Sequence, residues 1–172
     1  MQPDHSESPP SPWVQRWVGF IRPGGAVLDV ACGAGRHARW LWHLGFEVDA
    51  VDRSPDVFVD PPPGVRLLGA DIEAGPWPYA ERRFDAIVVT NYLHRPLLPV
   101  LVDSLEPGGL LVYETFALGN ERFGKPSNPD FLLQPGELLE AVRGKLHVLG
   151  YEDLVVEEPR PAALQRLCAR CG

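Results

Sequence analysis

The run Ala26-Val27-Leu28-Asp29-Val30 passes without a break into Ala31-Cys32-Gly33-Ala34-Gly35, and a helical pattern begins at Arg36. Strand, glycine turn and helix in immediate succession place the N–H groups of the helix start at the strand's carboxyl end, where an anionic ligand group can meet them. The same alternation continues along the chain. Apolar runs at 46–51, 65–69, 84–90 and 109–114 read as strands, and helical patterns cover 36–44 and 97–105. Ser11 before Pro12 reads as the N-cap of an earlier helix carrying Trp13, Val14 and Trp17, which stops at Pro23-Gly24-Gly25. After a long polar and aromatic loop at 115–134 come a helix at 136–143 and two strands joined at Pro159-Arg160-Pro161. Short apolar strands separated by helices predict an α/β fold with a doubly wound parallel sheet buried on both faces.

The chain's 172 residues suffice for one well-buried core and are few for two. A single domain over 11–172 is therefore expected. Residues 1–10 hold three prolines and no apolar period, the composition of a loose tail. No apolar run approaches a membrane span, and the start lacks a basic leader and an apolar core, so the expected location is the cytoplasm. A formal charge of -7 disfavours a broad phosphate-binding surface, and the sequence gives no direct evidence for nucleic acid. Cys168 and Cys171 have metal-knuckle spacing without a second pair, so no metal site is expected.

Three carboxylates mark three successive strand ends. Asp29 stands four residues before Gly33, where it would repel a pyrophosphate and attract an amine. Asp52 follows Gly35 by 17 residues, the place from which a carboxylate accepts both ribose hydroxyls. Asp71 is positioned to accept from an exocyclic adenine amine, with the backbone of Ile72 on the ring nitrogen. Taken alone, Gly33-x-Gly35-x-x-Ala38 also fits a nicotinamide-dinucleotide turn. Asp29 counts against that alternative.

The stretch VLDVACGAGRHARWLWHLGFEVDAVD resembles the signature of class I S-adenosylmethionine-dependent methyltransferases, with Ala31 where the family's first motif has a glycine. The resemblance extends over almost the whole chain. It implies a Rossmann-like sheet of seven strands with the last antiparallel, helices on both faces, and S-adenosyl-L-methionine as cofactor. Asp29, Ala31, Gly33, Gly35, Arg36, Asp52, Asp71, Ile72 and Asn91 become the expected cofactor residues.

The segment Thr90-Asn91-Tyr92-Leu93-His94-Arg95 is the one that approaches the transferring methyl in this family. Asn91, His94 and Glu114 are the expected catalytic residues. His94 is also readable as a histidine that satisfies backbone groups at a helix start or packs at the surface, and His37 carries a similar ambiguity. The loop with Glu121-Arg122-Phe123-Gly124-Lys125 resembles small bacterial methyltransferases of the tellurite-resistance type. There Arg122 and Lys125 would hold an anionic acceptor, with Tyr92, Phe116 and Phe123 as further substrate residues. A small-molecule acceptor is expected. A nicotinamide-dependent oxidoreductase, a non-catalytic cofactor-binding module and a partner-dependent RNA or protein methyltransferase remain as alternatives.

Overall fold

The computed structural model describes residues 8–172, so residues 1–7 of the expected tail lie outside the described residues. Its last residues are tied down: the carbonyls of Pro9 and Pro10 accept from Arg36 Nη1 and Gln15 Nε2 at 3.1 and 2.7 Å. Helix α1 (Pro12–Trp17) begins as the sequence predicts, because the Ser11 hydroxyl accepts from the Trp13 N–H and caps it. Then follow β1 (Ala26–Val30), α2 (Arg36–His43), β2 (Glu47–Asp52), β3 (Arg66–Gly69), β4 (Phe84–Thr90), α3 (Leu98–Asp103), β5 (Leu105–Phe116), α4 (Glu137–Val142), β6 (Leu146–Val156) and β7 (Ala162–Cys171).

The seven strands form one sheet in the order β3-β2-β1-β4-β5-β7-β6, with β1 to β5 parallel and β7 antiparallel to both neighbours. The chain winds outward from β1 through β2 to β3 and then returns to place β4 on the other side of β1. That reversal opens a crevice at the carboxyl ends of β1 and β4, where ligands of open α/β sheets bind.

Side chains alternate along each strand and divide the core in two. Leu28, Val30, Ile87, Val89, Leu111 and Tyr113 pack with α3 and α4 on one face. Val27, Ala86, Val88, Leu110 and Val112 pack with α1 and α2 on the other. Helices thus cover both faces. Trp13 and Trp17 belong to this second core, and the Trp13 indole N–H donates to the Leu167 carbonyl at 3.1 Å.

One boundary needs correction. The helical pattern at 97–105 predicts a stop at Glu106-Pro107-Gly108-Gly109, but α3 ends at Asp103 and Leu105 already pairs with Phe84. The Pro-Gly-Gly sequence makes a register shift inside a twelve-residue strand, with Gly108 at φ 81°. No helix among the described residues is long and apolar enough to cross a membrane.

Candidate active site

The glycine turn leaves β1 through a left-handed residue, Ala31, at φ 54°. A Cβ in this region crowds the following carbonyl and costs about 1–2 kcal/mol, so the alanine keeps a conformation that glycine would take freely. Gly33 is also left-handed, and the space a Cβ would occupy there is open. Gly35, at φ 83°, lies against the buried ring of Phe58, whose nearest atom would be 2.3 Å from an added Cβ. The turn is therefore open to a ligand at Gly33 and closed by packing at Gly35.

Asp29 shares the face of Val27, beneath α2. It is buried, and its Oδ2 has no hydrogen-bond partner among the described residues. Loss of water pushes its carboxyl up to about 7, against the Ala38 N–H and the Arg36 charge that favour ionisation. An orphaned carboxylate oxygen of this kind needs a cation or a donor beside it.

Asp52 is already oriented. Its Oδ2 accepts from the Gly33 N–H at 2.9 Å and its Oδ1 from the Ser54 N–H at 2.8 Å, which couples the end of β2 to the turn after β1. Each oxygen keeps a lone pair for a hydroxyl. Asp71 Oδ1 accepts from the Glu73 and Ala74 N–H groups, both at 3.0 Å, and these bonds hold its carboxyl below the usual range. Ile72 beside it is buried.

Arg36, an expected cofactor residue, starts α2 beside the turn. It is half-buried, which lowers its pKa, feels the charges of Glu114 and Asp29, and donates to Pro9 rather than to a surface carboxylate. His37 is engaged inside the fold. Its Nε2 accepts the Ser11 N–H at 2.9 Å, Nδ1 faces the Thr90 hydroxyl at 3.5 Å, and burial beside Arg36 lowers its pKa to about 3.

Across the crevice, Asn91 follows β4 at φ 55°, a left-handed conformation that asparagine tolerates well. Beside it lies a cavity of about 270 Å³ whose wall includes Glu73, Asn91, Tyr92, Thr115, Phe116 and Phe131. The Tyr92 hydroxyl donates to Glu73 Oε1 at 2.9 Å, and His94 Nδ1 stands 3.7 Å from the same oxygen. Burial and Glu73 both raise the Tyr92 pKa, so the phenol stays protonated.

Glu114, an expected catalytic residue, and Arg122, Phe123 and Lys125, expected substrate residues, are not in the wall of this cavity. Glu114 is buried, accepts the Ser11 hydroxyl at 2.8 Å on one oxygen and pairs with Arg166 on the other. A carboxylate with both oxygens engaged inside the fold is not placed to deprotonate an acceptor. Phe123 and Lys125 line a second cavity with Phe116 and Arg160, while Arg122 stacks on Phe123 and donates to the Gly119 carbonyl. Neither Arg122 nor Lys125, expected to hold an anionic acceptor, lines the first cavity. Phe116 alone borders both.

Sequence reasoning missed Glu73 and Arg95. Glu73 follows Asp71 by two residues on the same turn, and that proximity was the available signal. Arg95 forks onto Glu137 and also donates to the carbonyls of Asp130 and Leu132, holding the loop that carries Phe131. No spacing in the sequence pairs residues so far apart.

Residues 27–109 match the family described as Methyltransferase domain. None of the curated proteins matches. Among solved structures, TehB from Haemophilus influenzae superposes with a TM-score of 0.74 at 21% identity, over 92% of this chain and 61% of that one. The chain thus spans about three fifths of TehB's length. A TehB-like SAM-dependent methyltransferase from Corynebacterium glutamicum gives 0.70 at 19% identity, covering 97% and 91% of the two chains. The glycopeptide N-methyltransferase MtfA complexed with S-adenosyl-L-homocysteine gives 0.65 at 20%, covering 96% and 91%.

Proposed function

We propose, from the methyltransferase domain matched over residues 27–109 and the fold shared with known methyltransferases, that the chain is a class I S-adenosylmethionine-dependent methyltransferase and that it methylates a small-molecule acceptor by in-line transfer. The observation that carries the proposal is the pairing of the Asp29-Gly33-Asp52 crevice with a cavity of about 270 Å³ at Asn91, across the point where the strand order reverses. The residues present fit the cofactor. Asp29 offers an orphaned buried oxygen to its amine, the open space at Gly33 admits its backbone, Asp52 faces its ribose, and Asp71 with Ile72 its adenine.

S-adenosylmethionine supplies a methyl group that is electrophilic because it sits on a sulfonium. Asn91 and the surrounding wall have the task of aiming an acceptor lone pair along the carbon–sulfur axis and excluding water, which in well-oriented cases lowers a barrier by about 7–11 kcal/mol. Tyr92, Thr115 and Phe116 hold the acceptor, and His94, partly exposed behind Glu73, passes a released proton to solvent. The cavity's size supports a small acceptor.

The test is transfer of labelled methyl from S-adenosylmethionine to a panel of amines, thiols, phenols and chalcogen oxyanions. Labelled product with at least one small acceptor is expected. Cofactor binding with label passing only to protein or RNA would replace the small-molecule reading with the partner-dependent one.

A further inference from the structure

The wall of the Asn91 cavity carries a single charged side chain, Glu73, and it is negative. Around it stand the ring of Tyr92 and the rings of Phe116 and Phe131, while no lysine or arginine is among the lining residues. Glu73 Oε1 is shared by the Tyr92 hydroxyl and His94, and Oε2 has no hydrogen-bond partner among the described residues. The loop's cations lie elsewhere, with Lys125 and Arg160 on the second cavity. Arg53 acts on Tyr92 and Asp71 only through its field.

We infer that the acceptor is an amine carried on an aromatic or apolar framework, and that Glu73 is the residue that selects it. The inference rests on the methyl-transfer reading above. An anion entering this cavity meets the Glu73 carboxylate on a wall that holds no lysine or arginine. An ammonium donates a charge-assisted hydrogen bond to Oε2 and meets the negative faces of the neighbouring rings, and its apolar part fills the aromatic wall.

Held at Glu73, the ammonium loses one proton to the carboxylate, which releases it through His94 to solvent. The neutral nitrogen then forms the N–CH3 bond as the S–CH3 bond breaks, and the breaking pair remains on sulfur as a neutral thioether. The positive charge has moved from sulfur to the methylated nitrogen, which sheds a second proton by the same route.

The experiment uses the full chain loaded with S-adenosyl-L-homocysteine and titrated with 2-phenylethylamine and with 3-phenylpropionate, its anionic counterpart. Label transfer from S-adenosylmethionine to the amine, a thiol and selenite is measured in parallel. The wild type is expected to bind and methylate the amine and to reject the carboxylate. Glu73→Gln should weaken amine binding and raise its KM by roughly tenfold or more while homocysteine-adduct affinity is unchanged. Glu73→Asp should recover part of it. Amine binding indifferent to Glu73→Gln, or transfer to thiol or selenite without transfer to amines, overturns this inference and leaves the methyltransferase reading standing. Failure to bind S-adenosyl-L-homocysteine at all sinks that reading instead.

Discussion

Glu114 on β5 and Arg166 on β7 are register partners across antiparallel strands, and their side chains form a buried ion pair. The pair is extended at both ends. Ser11 donates to the other oxygen of Glu114, and Arg166 also reaches Glu152, which in turn pairs with Arg16 of α1. The N-terminal helix is thereby anchored to the antiparallel end of the sheet, while His37 ties Ser11 to the helix after the glycine turn.

Removing one partner of a buried pair leaves the other charge unpaired, at a cost of about 3–5 kcal/mol. Glu114→Ala should therefore lower the denaturation midpoint sharply. The fraction that remains folded should keep its acceptor pH profile, because Glu114 has no free oxygen for the acceptor. Loss of one limb of that profile in folded protein would restore the base role.

Ala31→Gly should stabilise the protein. Relief of the left-handed strain, about 1–2 kcal/mol, exceeds the extra unfolded-state freedom of glycine, about 0.5–1 kcal/mol. Urea denaturation should show a gain of about 0.5–1 kcal/mol by that difference, with cofactor affinity retained.

Asp29 predicts a pH-dependent affinity. With its carboxyl raised to about 7 by burial, it is protonated in the free protein at lower pH and must ionise to receive an amine. Affinity for S-adenosyl-L-homocysteine should fall below pH 7, by up to about tenfold per unit. The same shift means that Asp29's own contribution to stability, complete below its ordinary pKa near 3.8, is lost as pH rises toward 7. Asp29→Asn should flatten both dependences, as isothermal titration and thermal melts across pH 5–8 would show.

His37 acts in the opposite direction. Its pKa is depressed to about 3 by burial, so the stability it contributes is present above its ordinary value of 6.5 and declines as pH falls from there toward 3. The slope should reach about 1.4 kcal/mol per unit. His37→Asn should give a shallower acid transition.

Arg95 holds the backbone at Asp130 and Leu132 as well as Glu137, so Arg95→Lys removes a planar fork that one ammonium cannot replace. Amide exchange at 128–137 should quicken and acceptor KM should rise, with cofactor affinity unaltered. An unchanged KM would separate this loop from acceptor binding.

The sheet and the strand-end acids were readable because each depends on local order: apolar alternation, glycine at a tight turn, a carboxylate closing each strand. Ser11 and Pro12 announced their helix for the same reason. Pro107-Gly108-Gly109 was misread because a register shift within a strand and a helix stop use the same residues, and only pairing with Phe84 separates them. Glu114 looked available from sequence, since neither Arg166 nor Ser11 is near it along the chain. The acceptor wall was the least legible part, because Glu73, Phe116 and Phe131 meet only when β3, β5 and the loop before α4 are assembled.

The most direct measurement is calorimetric titration of the wild type and Asp52→Ala with S-adenosyl-L-homocysteine and with NADPH. The wild type should bind the homocysteine adduct and not NADPH, and Asp52→Ala should weaken that binding by roughly 10- to 100-fold through loss of the ribose contacts. Binding of NADPH in its place, or homocysteine-adduct binding indifferent to Asp52, would contradict the assignment of the crevice.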